Sequence, residues 1–246
     1  MMQPTTSHTP LTGRTLLTTS LSTLVTLLCA LSCPLASAGQ LQITVLNADG
    51  KPAPDVAVLV QPTAAWPQQP LPAPAVIAQQ YIRFVPFVTV VPVGASVRFI
   101  NRDKFDHHVR SQPGGPLGNV APAKQFEFRM AAMVGNRTAP PAELKLDVPG
   151  SVAIGCHLHG SMRGHILVSS TPFVAVTDDK GVATIANLPA GQAEVKLWHP
   201  DQLTDQAAST VQVAGAAAQD QQAQAKLNFN PRRRPPPAAP GDNSGY

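Results

Sequence analysis

Residues 152–169 read VAIGCHLHGSMRGHILVS, two apolar runs separated by a more polar loop. Apolar runs of this length, bounded by turn-forming residues, are typical of the short buried strands of β-sandwiches and barrels. We therefore predict one strand over 152–156 and another over 164–169, with a tight loop between them.

Three side chains capable of binding a metal stand in this loop: Cys156, His159 and Met162, at positions i, i+3 and i+6. Upstream, the segment NRDKFDHHV at 101–109 adds further imidazoles. A thiolate, two imidazoles and a thioether are the ligand set of a blue-copper site, in which the methionine is a weak axial ligand. Because Cys156 ends one strand and Met162 precedes the next, the loop would wrap three donors round one metal. A distant loop at the same end of the sandwich would supply the fourth.

The rest of the chain also predicts short strands. Leu41, Ile43 and Val45 alternate with polar residues, and apolar runs such as 76–84 follow one another between Gly and Pro turns. With 26 prolines and only 13% charged residues, the sequence disfavours long amphipathic helices. The Ala/Gln-rich stretch 202–224 fits either a partly helical or an extended conformation. We predict an all-β fold built as a sandwich or barrel.

Composition and motifs exclude several classes of function. The chain has 18 basic and 14 acidic residues, and its only dense basic run, 232–234, lies in a proline-rich tail. This is too little positive charge for a nucleic-acid partner. The sequence contains no P-loop, no dinucleotide fingerprint, no metalloprotease helix motif and no Cys-x-x-Cys-His haem motif. We expect that the protein is not an enzyme.

The first 38 residues have the pattern of a secretory signal. Arg14 is the only charged residue before Asp49, residues 16–31 form an apolar run, and Ala36-Ser37-Ala38 offers a small-x-small cleavage site. The alternative is a retained transmembrane anchor, which the short, Thr- and Ser-interrupted run disfavours. We expect export to the periplasm, with no membrane span after cleavage.

Cleavage would leave a single cysteine in the mature chain. Cys29 and Cys33 fall within the signal, so only Cys156 remains. An exported thiol without a partner cannot form an internal disulfide and is open to oxidation. It requires an intermolecular bridge, a buried inert position, or a metal that holds it as the thiolate. The neighbouring imidazoles and thioether favour the metal.

Residues 156–164 resemble the copper loop of the cupredoxin family, with the spacing of its amicyanin and pseudoazurin branches. That spacing is Cys, two residues, His, two residues, Met, and the Arg-Gly pair that follows in amicyanin is also present here. The segment FINRD at 99–103 resembles the strand end that precedes the first copper histidine. The resemblance covers about residues 75–170 and implies a Greek-key β-sandwich.

The resemblance also assigns the ligands. The first copper histidine of the family lies six residues after the matching Asn, which selects His107 and not His108. Family members usually have Asn at the position that His108 occupies, and the prolines of the amicyanin loop are missing. His157 and His165 stand outside the implied set. One copper ion, in the states Cu(I) and Cu(II), is expected on the ligands His107, Cys156, His159 and Met162.

The flanks indicate a second, small β-sandwich. Residues 42–60 and 177–200 resemble two halves of a carboxypeptidase regulatory-like module, and the chain resembles exported proteins labelled methylamine utilisation protein. The alternative is an amino-terminal strand belonging to the first sandwich, with a separate carboxy-terminal domain. The expected organisation is a signal peptide at 1–38, a discontinuous sandwich at 39–62 and 171–230, a Pro-rich linker at 63–74, a cupredoxin domain at 75–170 and a disordered Pro/Arg tail at 231–246.

The function that the resemblance implies is transfer of single electrons between transient protein redox partners in the periplasm. The edge of His159 would be the electron port, with Pro113, Pro116 and Leu117 as an apolar docking patch. One alternative is a copper chaperone or store with the same ligands and no redox turnover. Another is a metal-free binding module. The oligomeric state stays open.

Overall fold

The structure is a computed structural model, and it describes residues 38–215 and 221–234. The expected signal peptide, apart from its last residue, and the tail beyond residue 234 lie outside the described residues. Within the described residues every regular element is a β-strand, which confirms the predicted all-β class. No helix in this part of the chain has the length and apolar character needed to cross a bilayer.

The strands are short, as the spacing of turns in the sequence predicts. In chain order, those described are β1 (Ala38–Leu46), β2 (Ala57–Pro62), β3 (Ala75–Gln79), β4 (Phe84–Val85), β5 (Val88–Pro92), β6 (Ser96–Asn101), β7 (His107–Gln112), β8 (Glu127–Met130), β9 (Ala142–Lys145), β10 (Gly150–Cys156), β11 (Arg163–Ser169), β12 (Val174–Val176), β13 (Val182–Pro189), β14 (Gly191–Trp198), β15 (Ser209–Val213) and β16 (Gln221–Lys226).

These strands form four sheets, which fall into two groups along the chain. One group contains the sheets β13-β1-β16 and β12-β2-β14-β15, and the other contains β5-β11-β10-β7-β8 and β4-β3-β6-β9. β1 runs antiparallel to β13 and parallel to β16, so the start and the end of the described chain share a sheet. This pairing links the segments on either side of the second group. The domain boundaries themselves stay a prediction.

Each group of sheets encloses its own apolar core. Ile43 on β1 and Val195 on β14 belong to one cluster of buried residues. Phe99 on β6, Ile154 on β10 and Ile166 on β11 belong to the other. Because both sheets of a group contribute to one cluster, each group is a two-layer sandwich.

The predicted strand over 76–84 is interrupted, and this correction bears on the site. β3 ends at Gln79, and Tyr81 and Ile82 adopt positive φ angles of 54° and 57°. Their N–H groups donate to the two oxygens of the Asp103 carboxylate, at 2.7 and 3.1 Å. These hydrogen bonds help to offset the cost of an unfavourable backbone conformation. Within the stretch 202–224, β15 and β16 are strands, and the described residues include no helix there.

Candidate metal centre

The loop that joins β10 to β11 is closed by its own backbone. The N–H of Cys156 donates to the carbonyl of Met162 at 3.2 Å, and the N–H of Met162 donates to the carbonyl of His159 at 2.9 Å. These bonds fold six residues into a compact turn between two paired strands. The loop therefore holds three of the predicted donors within one small region.

Three of the four predicted donors meet directly. Cys156 Sγ lies 3.4 Å from Nδ1 of His159 and 3.6 Å from Nδ1 of His107. The two Nδ1 atoms are 3.1 Å apart. Atoms that bind one transition-metal ion at about 2.0 to 2.3 Å stand roughly 3 to 4 Å from one another. The three atoms therefore have the spacing of ligands to a single ion.

The group is almost fully shielded from solvent, and its neighbours favour the thiolate. His107, Cys156 and His159 are 0%, 6% and 8% exposed. Burial alone raises the pKa of the Cys156 thiol, but hydrogen bonds from His107, from the N–H of His108 and from His159 outweigh burial and lower that pKa to about 6. The thiolate is the form that binds metals, so the lowered pKa of Cys156 favours metal binding.

The orientation of His107 is set by a residue that the sequence analysis did not single out. Asp103 Oδ2 lies 2.9 Å from Nε2 of His107, which leaves Nδ1 directed at Cys156. Burial alone lowers the pKa of His107, but the hydrogen bonds to Asp103 and Cys156 raise it overall. A carboxylate behind a histidine ligand commonly fixes its ring and tautomer. The sequence feature that could have revealed this role is an acidic residue, Asp103, four positions before His107.

The segment before His107 is shaped by Asn101, a fully buried residue. Its Nδ2 donates to the carbonyls of Phe105 and Ala131 at 2.8 and 2.9 Å, and its Oδ1 accepts the N–H of Asp103 at 2.9 Å. The Phe105 ring then packs against both imidazoles, with centroid distances of 5.3 and 5.2 Å to His107 and His159. One buried amide thus positions both the carboxylate and the aromatic wall of the site.

Met162 is placed beside this group by the loop. Its side chain is 1% exposed and belongs to the same apolar cluster as Cys156. A buried thioether at the end of the loop is compatible with a weak axial ligand. The assignment of all four side chains as ligands stays a prediction.

The other histidines named in the sequence analysis lie outside this group. His108 pairs with Glu127 on the outer face of the sheet, and His157 is exposed in the loop. His165 packs edge-on against Phe87, at a centroid distance of 5.1 Å. The predicted port, His159, presents only 8% of its surface to solvent.

The predicted docking patch is exposed. Leu117 is 75% exposed, Pro113 and Pro116 are exposed as well, and Leu158 beside His159 is 47% exposed.

Comparison with solved structures finds similarity to copper proteins, with low TM-scores and low sequence identity. No protein-family model matches the chain, and no curated protein gives a significant match. Among solved structures, a Cu-containing nitrite reductase from Thermus scotoductus SA-01 is similar over 45% of this chain and 26% of its own, with 22% identity and a TM-score of 0.34. This chain therefore spans about a quarter of that reductase.

Amicyanin variants are also similar. An oxidised mutant matches 39% of this chain and 82% of its own, with 23% identity and a TM-score of 0.30. A Cu(I) form of another mutant matches 46% and 98%, with 22% identity and a TM-score of 0.30. All these TM-scores lie below 0.5, so the similarities carry no conclusion about function.

Proposed function

We propose that the protein binds one copper ion through His107, Cys156, His159 and Met162 and carries single electrons between transient protein partners in the periplasm. The observation that carries this proposal is the convergence of one sulfur and two Nδ1 atoms within 4.8 Å in a buried position. Thiolate and imidazole also suit zinc, but a His₂Cys set with a nearby thioether favours copper. When bound, copper would supply a one-electron Cu(I)/Cu(II) couple.

The surroundings of the donors suit electron transfer because they resist rearrangement. The Asp103 carboxylate holds one imidazole, the N–H of His108 donates to Cys156 Sγ at 3.4 Å, and Phe105 packs against both rings. A site whose ligands keep their positions when its charge changes by one unit has a low barrier to electron exchange. The same burial keeps water away from the thiolate.

We further propose that this site belongs to a domain covering 75–170, with 63–74 as its linker. The flanking segments 39–62 and 171–230 would then form a discontinuous second sandwich. The support is that strand pairing and buried clusters separate along these boundaries.

A copper-handling protein without redox turnover is the second candidate. The observation in its favour is the low exposure of both imidazoles, because a shielded site retains an ion well and offers little edge for electron exchange.

Voltammetry of the copper-loaded mature protein separates the two candidates. The carrier predicts a reversible one-electron wave and fast exchange between oxidised and reduced protein. A colourless site that stays Cu(I) and gives no reversible wave would replace the carrier by the handling protein.

A further inference from the structure

A second cluster of donors lies on the outer face of the five-stranded sheet, next to the buried centre. It consists of His108 on β7, Glu127 on β8 and His157 just after β10, so three adjacent positions in the sheet contribute one side chain each. We propose that these three residues form an exposed metal site for a divalent cation such as Zn²⁺ or Cu²⁺.

The side chains of the cluster lie close enough to reach a shared ion after one of them turns. His108 Nε2 lies 2.9 Å from Oε1 of Glu127. The rings of His108 and His157 are 5.6 Å apart between centroids, at an interplanar angle of 69°. Two imidazoles that bind one ion at about 2.0 to 2.1 Å have centroids roughly 5 to 6 Å apart. The two ligand imidazoles proposed for the buried centre, His107 and His159, are 4.8 Å apart by the same measure.

The backbone keeps the two imidazoles together without a metal. The N–H of His157 donates to the carbonyl of His108 at 2.9 Å, and the N–H of His108 donates to Cys156 Sγ. Each surface histidine also follows a proposed ligand of the buried centre directly in sequence, since His108 follows His107. The backbone positions of the surface pair are therefore fixed by the same contacts that build the buried group.

One side chain has to turn before an ion is bound. Among the described residues, the buried group is the only set of three such donors whose ligand atoms already lie within 4.8 Å of one another. His157 is exposed in the loop and Glu127 has 58% of its side chain exposed, so both can change rotamer at low cost. His108, with 31% of its side chain exposed, is the more fixed member.

One nearby negative charge favours cation binding at the cluster, and one nearby positive charge opposes it. Glu127 supplies one negative charge, and Arg110 lies opposite it on β7 and is exposed. Arg129 is occupied by Asp106, with its Nη2 at 2.9 Å from the carboxylate. Removing the charge of Arg110 should therefore strengthen cation binding.

The donor chemistry distinguishes this site from the buried one. Two imidazoles and a carboxylate, with no sulfur, suit Zn²⁺ or Cu²⁺ in an open coordination sphere. A thiolate and a thioether favour Cu(I). The two sites would thus take different metals or different oxidation states.

The test is calorimetric titration of the mature protein with Zn²⁺. Cys156→Ser combined with His159→Ala removes two donors of the buried centre, and the serine hydroxyl can still accept the N–H of His108 in place of the sulfur. The surface site is measured in this background, so that failure of the proposed copper function leaves the readout intact. We expect one bound Zn²⁺, lost on His157→Ala and weakened about 10- to 100-fold by Glu127→Gln. Arg110→Gln should tighten binding several-fold.

Glu143→Gln is the matched control, since Glu143 is a carboxylate with 44% of its side chain exposed on the other sheet, where it pairs with Arg98. It should leave the isotherm unchanged. Zinc binding that survives both His157→Ala and Glu127→Gln would be adventitious and would overturn the proposal. Absence of Zn²⁺ binding in the background variant would overturn it as well.

Discussion

At the scale of single residues, the protonation state of Cys156 is decided by the hydrogen bonds that its sulfur accepts. Burial opposes the thiolate, and the imidazoles of His107 and His159 with the N–H of His108 more than reverse that cost, which brings the pKa to about 6. His108, the residue after His107, reaches the sulfur through its backbone N–H. The link between the two ligand loops therefore depends on the main chain.

Asp103→Asn should weaken copper binding about 10- to 100-fold, as loss of a carboxylate behind a histidine ligand commonly does. An amide in place of the carboxylate has one acceptor oxygen for three donors, the N–H groups of Tyr81 and Ile82 and the ring of His107. A competition titration against a chelator measures the affinity.

Asp106→Asn is the control for this substitution. Asp106 accepts hydrogen bonds from the Arg129 side chain and from the N–H of Ala132. Equal copper affinities for the two variants would contradict the positioning role of Asp103.

Met162→Leu should leave the fold and the bound copper in place and raise the reduction potential. Leu and Met have similar volumes, so the cost in stability is below about 1.5 kcal/mol. Losing a weak donor disfavours Cu(II), the more highly charged ion, more than Cu(I). Voltammetry of the two proteins measures the shift; an unchanged potential would show that Met162 is not a ligand.

At the scale of elements, the centre depends on how closely β10 and β11 pack against β4. Gly164 on β11 has no side chain because a Cβ there would lie 2.9 Å from Cβ of Phe84 and 3.2 Å from the side chain of Ile154. Phe84 Cβ is attached to the backbone and cannot swing away. The glycine therefore sets the separation of the two sheets beside the candidate metal centre.

Gly164→Ala should lower the free energy of unfolding by about 1 to 3 kcal/mol through overpacking. Gly160→Ala, in the loop itself, meets nothing within 4 Å and should be neutral or slightly stabilising. Urea unfolding of the metal-free variants measures both. Equal stabilities would show that the contact with Phe84 does not limit the packing.

The two strands beside the candidate site could be predicted from the sequence, and the turn over residues 80–83 could not. The apolar runs 152–156 and 164–169 predicted β10 and β11 to within two residues at each end. The turn over residues 80–83 was missed, because its reason is the distant carboxylate of Asp103. For the same reason the role of Asp103 was missed: local apolar patterning does not contain a contact across 22 residues.

At the scale of the whole molecule, aromatic and charged residues connect the two groups of sheets. His165 on β11 faces Trp198 at the end of β14, with a centroid distance of 6.4 Å. Arg234 lies over the Phe87 ring at 4.6 Å and pairs with Asp55. Arg234 lies in the segment 231–246, whose disorder stays a prediction.

The buried His199, which lies near Arg232 and Arg234, should make the free energy of unfolding depend on pH. Burial is the main cause that lowers the pKa of His199 to about 4, and the nearby Arg232 and Arg234 add to it against the opposing charge of Asp201. The unfolded chain binds a proton near pH 6.5 and the folded one only near pH 4, so stability is full above pH 6.5 and falls as the pH drops towards 4. At pH 5 the loss from this histidine is on the order of 2 kcal/mol.

Urea unfolding of the metal-free protein at pH 7 and pH 5 measures this loss. His199→Gln should remove its share of the pH dependence. The pKa of His165 is also lowered to about 4, first by burial and next by the nearby His199, so in that variant His165 should retain the part of its pH dependence that is due to burial. An unchanged difference between the two pH values in His199→Gln would refute the assignment.

The central claim is that Cys156, with two imidazoles and a thioether, binds copper as a thiolate. Its most direct test is titration of the mature protein with Cu²⁺, followed by visible and electron paramagnetic resonance spectroscopy, beside Cys156→Ser. We predict an intense sulfur-to-copper charge-transfer band with a narrow copper hyperfine splitting, complete at the first equivalent and missing from the serine variant. Identical spectra for the two proteins would contradict it.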